Sequence, residues 1–245
     1  QPSPDRRQDQ EKDTMTRLAF YSDLHIEGAN TTLDPGNATV IAVVGDVRAP
    51  EIGQKLDGPE DEHEAVWWLR ERLPQDVPVL YVPGNHDYEG TRVDHALAAM
   101  RRAAVGSNVH VLWNEAITID GVRYIGTPLW ADPTQGRADP DDILEAVRLR
   151  TDLARARDDQ GRSLDGRWLL DQHAQARAFI AGELAAHQDR TTVVLTHWAP
   201  SPQSQDHRFK GEDVAGYWAC DCEDLVAQAN LWLHGHIHDT VDYRV

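Results

Sequence analysis

A chain of 245 residues, 40% hydrophobic and 27% charged, suits one soluble globular domain of the larger kind. Its 24 basic against 41 acidic side chains leave a formal charge of −17, which disfavours long nucleic acids, because binding them rests on neutralising phosphates with Lys and Arg. No stretch approaches the roughly 18 unbroken apolar residues of a membrane span, and the two cysteines, Cys220 and Cys222, are too few for a disulfide scaffold and suit a reducing cytoplasm.

Residues 1–16 are polar and charged, with no apolar segment for a secretory signal, and read as a disordered leader to a single domain over residues 17–245. A short apolar run at 18–22 is a strand that runs into Asp23 and His25; one intervening residue lets both side chains point the same way in an extended chain. A second buried-strand run at 39–44 ends at Gly45-Asp46, a carboxylate after a permissive glycine. Apolar residues at helical spacing over 59–73 predict an amphipathic helix, with Trp67 and Trp68 as core packing and His63 as a solvated position. Residues 77–82 form the next strand, bounded by Pro78 and by Pro83-Gly84, and the sharp turn after it presents Asn85, His86 and Asp87. A helix over 92–104 follows. The alternation of strand and helix predicts an α/β fold with parallel pairing at its centre.

The middle of the chain changes character. Strands at 109–112, 116–119 and 122–125, the last two joined by Asp120-Gly121, predict a hairpin and the start of a second sheet. Residues 141–157 have helical spacing and a polar surface, so a cap-like helical insertion is expected around 131–165, followed by a longer helix over 168–187. The buried-strand run 191–196 ends at His197. The loop 198–218 is long enough to border a pocket with Trp198, Arg208 and Lys210. After a helix at 221–229, a final strand at 231–233 delivers His234, His236 and His238.

Five segments far apart in sequence thus place Asp, His or Asn just past an apolar run, and the carboxyl ends of strands are where open α/β sheets bind ligands. Carboxylate and amide oxygens combined with imidazole nitrogens suit divalent ions such as manganese, iron, zinc or cobalt, and there are ligands enough for two. Two ions about 3.5–4 Å apart can polarise a phosphoryl oxygen and hold both ends of an in-line displacement.

The ordered set Asp23-x-His25, Gly45-Asp46, Gly84-Asn85-His86-Asp87, Thr196-His197 and Gly235-His236-x-His238 resembles the calcineurin-like metallophosphoesterase family over roughly residues 17–241. The resemblance implies two mixed β-sheets packed face to face and flanked by helices in four layers. It implies a binuclear centre of two divalent or mixed-valence ions, manganese, iron or zinc, with Asp23, His25 and His238 on one, Asn85, His197 and His236 on the other, and Asp46 bridging. It also implies hydrolysis of phosphomonoesters or phosphodiesters by a bridging hydroxide, with His86 as the acid and Asp87 orienting it, and the acidic charge leaves a small molecule as the expected substrate. The family often carries a further acid three residues after Asp46; here that place is Ala49. A supporting role is expected for His234 rather than ligation. The alternative reading is a catalytically silent metal-binding scaffold or partner-binding protein.

Overall fold

The computed structural model describes residues 15–28, 31–50, 56, 61–135, 140–147, 151–205 and 215–245. All but the last two residues of the expected leader lie outside this set, as do Arg208 and Lys210.

The first sheet is built from four short strands, β1 (Leu18–Tyr21), β2 (Val40–Val44), β3 (Val79–Val82) and β4 (Val109–Val111), adjacent in chain order and parallel throughout. Parallel neighbours need a crossover, and two of the three are helices: α1 (Glu64–Arg72) between β2 and β3, and α2 (Val93–Ala104) between β3 and β4. The second sheet runs β5 (Glu115–Ile119), β6 (Val122–Thr127), β7 (Thr192–Thr196) and β8 (Leu231–His234), antiparallel only at the β5–β6 hairpin. Asp120 and Gly121 turn that hairpin with φ of 47° and 82°, as the Asp-Gly pair predicts. The first sheet is therefore purely parallel and only the second is mixed.

Side-chain alternation divides the core in two. Val40, Ala42 and Val44 of β2 and Leu80 and Val82 of β3 cluster with Tyr124 of β6 and with Val193 and Leu195 of β7, between the sheets. The intervening Ile41, Val43, Val79 and Tyr81 join a second cluster with Ala65, Val66 and Leu69 of α1 and Ala96 and Met100 of α2. β2 and β3 are buried on both faces, which is why they read as continuous apolar runs. Burial of each Val or Leu contributes about 1.5–3 kcal/mol. On the far side, α5 (Gly166–Ala186) lays Leu169, Ala176, Ile180 and Leu184 into the core and contacts β6. The result is the expected four layers: helices, sheet, sheet, helix.

Several local expectations change. His63 is not solvated: it is 2% exposed and caps α1, its Nδ1 accepting from Ala65 N at 3.3 Å and its Nε2 donating to Asp87 O at 2.9 Å. Trp67 is not core: it is 41% exposed, with the Arg70 guanidinium 4.3 Å from its ring centre, whereas Trp68 does pack on the core. The polar 141–157 segment contains two helices, α3 (Pro140–Val147) and α4 (Thr151–Arg155), whose Val147 and Leu153 join the main core. The expected helix at 221–229 contracts to α7 (Glu223–Val226), preceded by the one-turn α6 (Ala215–Trp218). None of the described helices is long and apolar enough to cross a membrane.

Register fixes where the site forms. Tyr21 pairs with Val43, Val44 with Val82, and Thr127, Thr196 and His234 are level, so the segments after β1, β2, β3, β7 and β8 emerge along one edge.

Candidate metal centre

The strand ends do not fray into open loops. Backbone bonds from Asp23 N to Gly45 O, His25 N to Asp46 O and Ile26 N to Val47 O carry the β1–β2 pairing past both strands. That pairing holds unusual conformations. Asp23, His25, Asp46, His236 and His238 have φ of 52°, 42°, 51°, 72° and 52°, five of the nine described non-glycine residues in that region. Each costs on the order of 1–3 kcal/mol, and strain concentrated on candidate ligands marks a functional site. Close approach adds a second constraint: a Cβ at Gly84 would overlap the Asp46 carboxylate, and one at Gly45 the His197 ring.

Two groups of side chains result, sharing Asp46. In the first, ligand atoms of Asp23, His25, Asp46 and His238 lie within 4.8 Å of one another. The Nε2 atoms of His25 and His238 face each other at 3.3 Å, and His238 Nε2 is 3.4 Å from Asp23 Oδ1. The hydrogen bond from His238, against the opposing effect of burial, holds the Asp23 carboxyl below the usual carboxylate range. His25 Nδ1 is bound to Glu27 Oε1 at 3.2 Å, which leaves its Nε2 as the ligand nitrogen. Glu27 was not singled out by the sequence reading. A further Asp23 contact, from His236 N to both carboxylate oxygens at 3.1 Å, ties the last loop to the first.

In the second group Asp46, His197 and His236 converge. His197 Nδ1 donates to Val44 O at 2.8 Å, and its Nε2 lies 3.0 Å from Asn85 Oδ1 and 3.1 Å from Asp46 Oδ2. Burial disfavours a charged His197, but the Asp46 carboxylate overcomes it and lifts the pKa to about 9; the same pairing holds Asp46 low despite its burial. His236 is pressed the other way, to about 3, by burial and by the His197 charge. It packs against the rings of Trp198 and Trp218, at 4.7 and 5.5 Å with interplanar angles of 35° and 32°. Trp198, expected at a pocket rim, is instead fully buried against this imidazole.

Does this set fit metal ions? Among the described residues, His236 Nε2 is buried with no hydrogen-bond partner, and Asp46 Oδ2, although close to His197, has none of hydrogen-bond geometry. Such orphaned atoms cost roughly 1–3 kcal/mol each unless something binds them. Imidazole nitrogens and carboxylate oxygens aimed at shared points are a divalent-cation donor set. The residues fit.

The polar turn after β3 sorts its residues differently from the expectation. Asn85 joins the second group, and the His86 ring lies 5.1 Å from that of His25. Asp87, however, is engaged by the backbone. Its carboxylate accepts from Asp46 N, Val47 N, Arg48 N and Gly84 N at 2.7–3.1 Å, clamping the β2 turn. Burial and the Asp46 charge push it up to about 6 against those amides. The carboxylate on His86 Nδ1 is Glu89, at 2.6 Å. His234 bonds Ser204 Oγ at 2.9 Å and belongs to neither group; Cys220 and Cys222 are buried thiols, also in neither.

Comparisons with known proteins bear on the family and the fold. The family described as calcineurin-like phosphoesterase matches residues 16–240. A phosphopantetheinyl hydrolase from Mycobacterium tuberculosis has a similar structure at a TM-score of 0.59, with 19% sequence identity over 93% of this chain and 86% of that one. No curated protein matches significantly by sequence. The family match spans all five strand ends that build the site, and the chain belongs to the calcineurin-like phosphoesterases, hydrolases of phosphoric ester bonds.

Proposed function

We propose that the chain hydrolyses a phosphomonoester or phosphodiester of a small molecule at a centre of two divalent ions. The observation that carries this reading is Asp46: one buried carboxylate lies in both ligand groups, its Oδ2 4.0 Å from His25 Nε2 and 3.1 Å from His197 Nε2, so it would be the ligand shared by two neighbouring cations. Asp23, His25 and His238 would hold one ion and Asn85, His197 and His236 the other. When bound, such ions polarise phosphoryl oxygens and lower the pKa of a water. The chain's own residues supply the rest. Asp87 and Gly84 fix Asp46 where both groups meet, Trp198 and Trp218 orient His236, and His86 stands beside the first group to protonate the leaving oxygen.

A small substrate is supported by the cleft at the first group, about 310 Å³, lined by Ser22, Asp23, Gly235, His238, Asp239 and Thr240. The −17 charge supports a substrate other than a long nucleic acid. The structural neighbour makes phosphopantetheinyl esters a sensible member of a test panel. The experiment is a screen of the protein purified with its native metal against monoesters, diesters and phosphopantetheinyl esters, alongside His86→Ala. Turnover of at least one class, with His86→Ala keeping metal yet losing roughly 10²–10⁴-fold on an unactivated ester, is the expected result. Bound metal with no turnover across the panel would favour a silent scaffold.

A further inference from the structure

His86 stands on a short 3-10 turn, His86–Tyr88, in which positions i and i+3 eclipse. That geometry brings Glu89 beneath it: Glu89 N bonds His86 O at 3.2 Å while Glu89 Oε1 takes His86 Nδ1 at 2.6 Å. Glu89 is 8% exposed, and its other oxygen accepts from Arg155 Nη1 at 2.8 Å. Arg155 closes α4, and this end of the 131–165 segment is stitched to the turn by its backbone: Gly90 N to Arg155 O at 3.1 Å, Arg157 N to Thr91 O at 3.0 Å, Val93 N to Arg157 O at 2.9 Å. The neighbouring carboxylate, Asp87, is consumed by four backbone amides, and the place three residues past Asp46 holds Ala49, which has no carboxyl group.

We infer that Glu89 is the positioning residue for His86, and that the Arg155 end of α4 holds Glu89 in place. With Nδ1–H committed to Glu89, the ring orientation is fixed and Nε2 carries the transferable proton. The inserted segment then supports the acid directly through the chain Arg155, Glu89, His86, rather than only covering the cleft. This rests on the reading of His86 as the acid.

The test uses the native-metal protein as wild type, Glu89→Gln, Glu89→Ala, Arg155→Ala and His86→Ala, with metal content, thermal melting, kcat and KM on an alkyl and on a p-nitrophenyl phosphoester, and the ¹⁵N spectrum of the histidine rings. Glu89→Ala should keep its metal, lose roughly 10- to 100-fold in kcat on the alkyl ester with KM nearly unchanged, and lose little on the p-nitrophenyl ester, whose departure needs no proton. Glu89→Gln, close in shape, should fall between, and Arg155→Ala should show a smaller loss of the same kind. The His86 ring nitrogens should shift in Glu89→Ala, and the double variant His86→Ala/Glu89→Ala should be no slower than His86→Ala. Full alkyl-ester turnover by Glu89→Ala or Glu89→Gln, while His86→Ala is impaired, overturns the inference and leaves the acid assignment standing. Full turnover by His86→Ala overturns both. A loss of equal size on the two esters with unshifted ring nitrogens also overturns it, since that is what a merely structural role produces.

Discussion

His197 carries the proton that an incoming cation must displace, because Asp46 raises its pKa to about 9 from the ordinary 6.5 in the metal-free protein. A raised folded pKa means that the His197–Asp46 pairing stabilises the metal-free fold fully below about pH 6.5 and loses that contribution as pH rises through about 9. Cation binding competes with this proton, so apparent affinity should rise with pH over the same interval, by up to about tenfold per unit. Calorimetry in buffers of different ionisation enthalpy should show at least about one proton released per chain on cation binding at pH 7, since His238, whose pKa the bond to Asp23 also raises, adds to the His197 proton; no release would contradict it. His63 has the opposite sign. Its pKa is lowered to about 4 by burial, so its stabilising role is present above about pH 6.5 and fades as pH falls toward 4. Losing the cap and the bond to Asp87 O, His63→Ala should cost roughly 1–3 kcal/mol in urea unfolding at pH 7 and flatten the pH 5–7 slope of stability. Wild-type stability and slope in that variant would remove the cap from the account.

At the level of elements, the strand ends were legible because two signals coincide there: an unbroken apolar run, and a ligand-type residue immediately after it. All nine candidate residues, Asp23, His25, Asp46, Asn85, His86, Asp87, His197, His236 and His238, lie along the one edge. What was not legible is how the turn after β3 distributes its acids. A tetrapeptide that reads His86-Asp87 suggests a pair of neighbours, but a 3-10 turn sends adjacent side chains apart and brings residue i+3 back, so Glu89 reaches His86 and Asp87 reaches the β2 turn. His63 was obscured in the same way, among acids that look like a solvated helix start. The 131–165 segment was read from its polar surface, yet its few apolar residues decide its behaviour. Leu153 of α4 is 1% exposed within the main core, and Leu153→Ala should cost roughly 2–4 kcal/mol by urea unfolding with an unchanged m-value. A cost below about 0.5 kcal/mol would mean that α4 is loosely attached and could not brace Arg155.

Across the whole molecule, two sheets that share one hydrophobic interior bring five chain segments, 213 residues apart at the His25–His238 contact, to one edge. Ligands supplied by both sheets make the site dependent on their packing, and β2 and β3 bear on β7 and β6 to set it. Asp46 is the point on which the two ligand groups and the Asp87 clamp converge. The most direct measurement is therefore a metal titration of the metal-free protein, following bound ions per chain by elemental analysis together with phosphoester turnover, in wild type and Asp46→Asn. Wild type should reach full turnover only at two ions per chain, and Asp46→Asn should lose both the stoichiometry and the activity. Full turnover at one ion or none, or an Asp46→Asn protein that keeps two ions and wild-type rates, would contradict the two-ion centre.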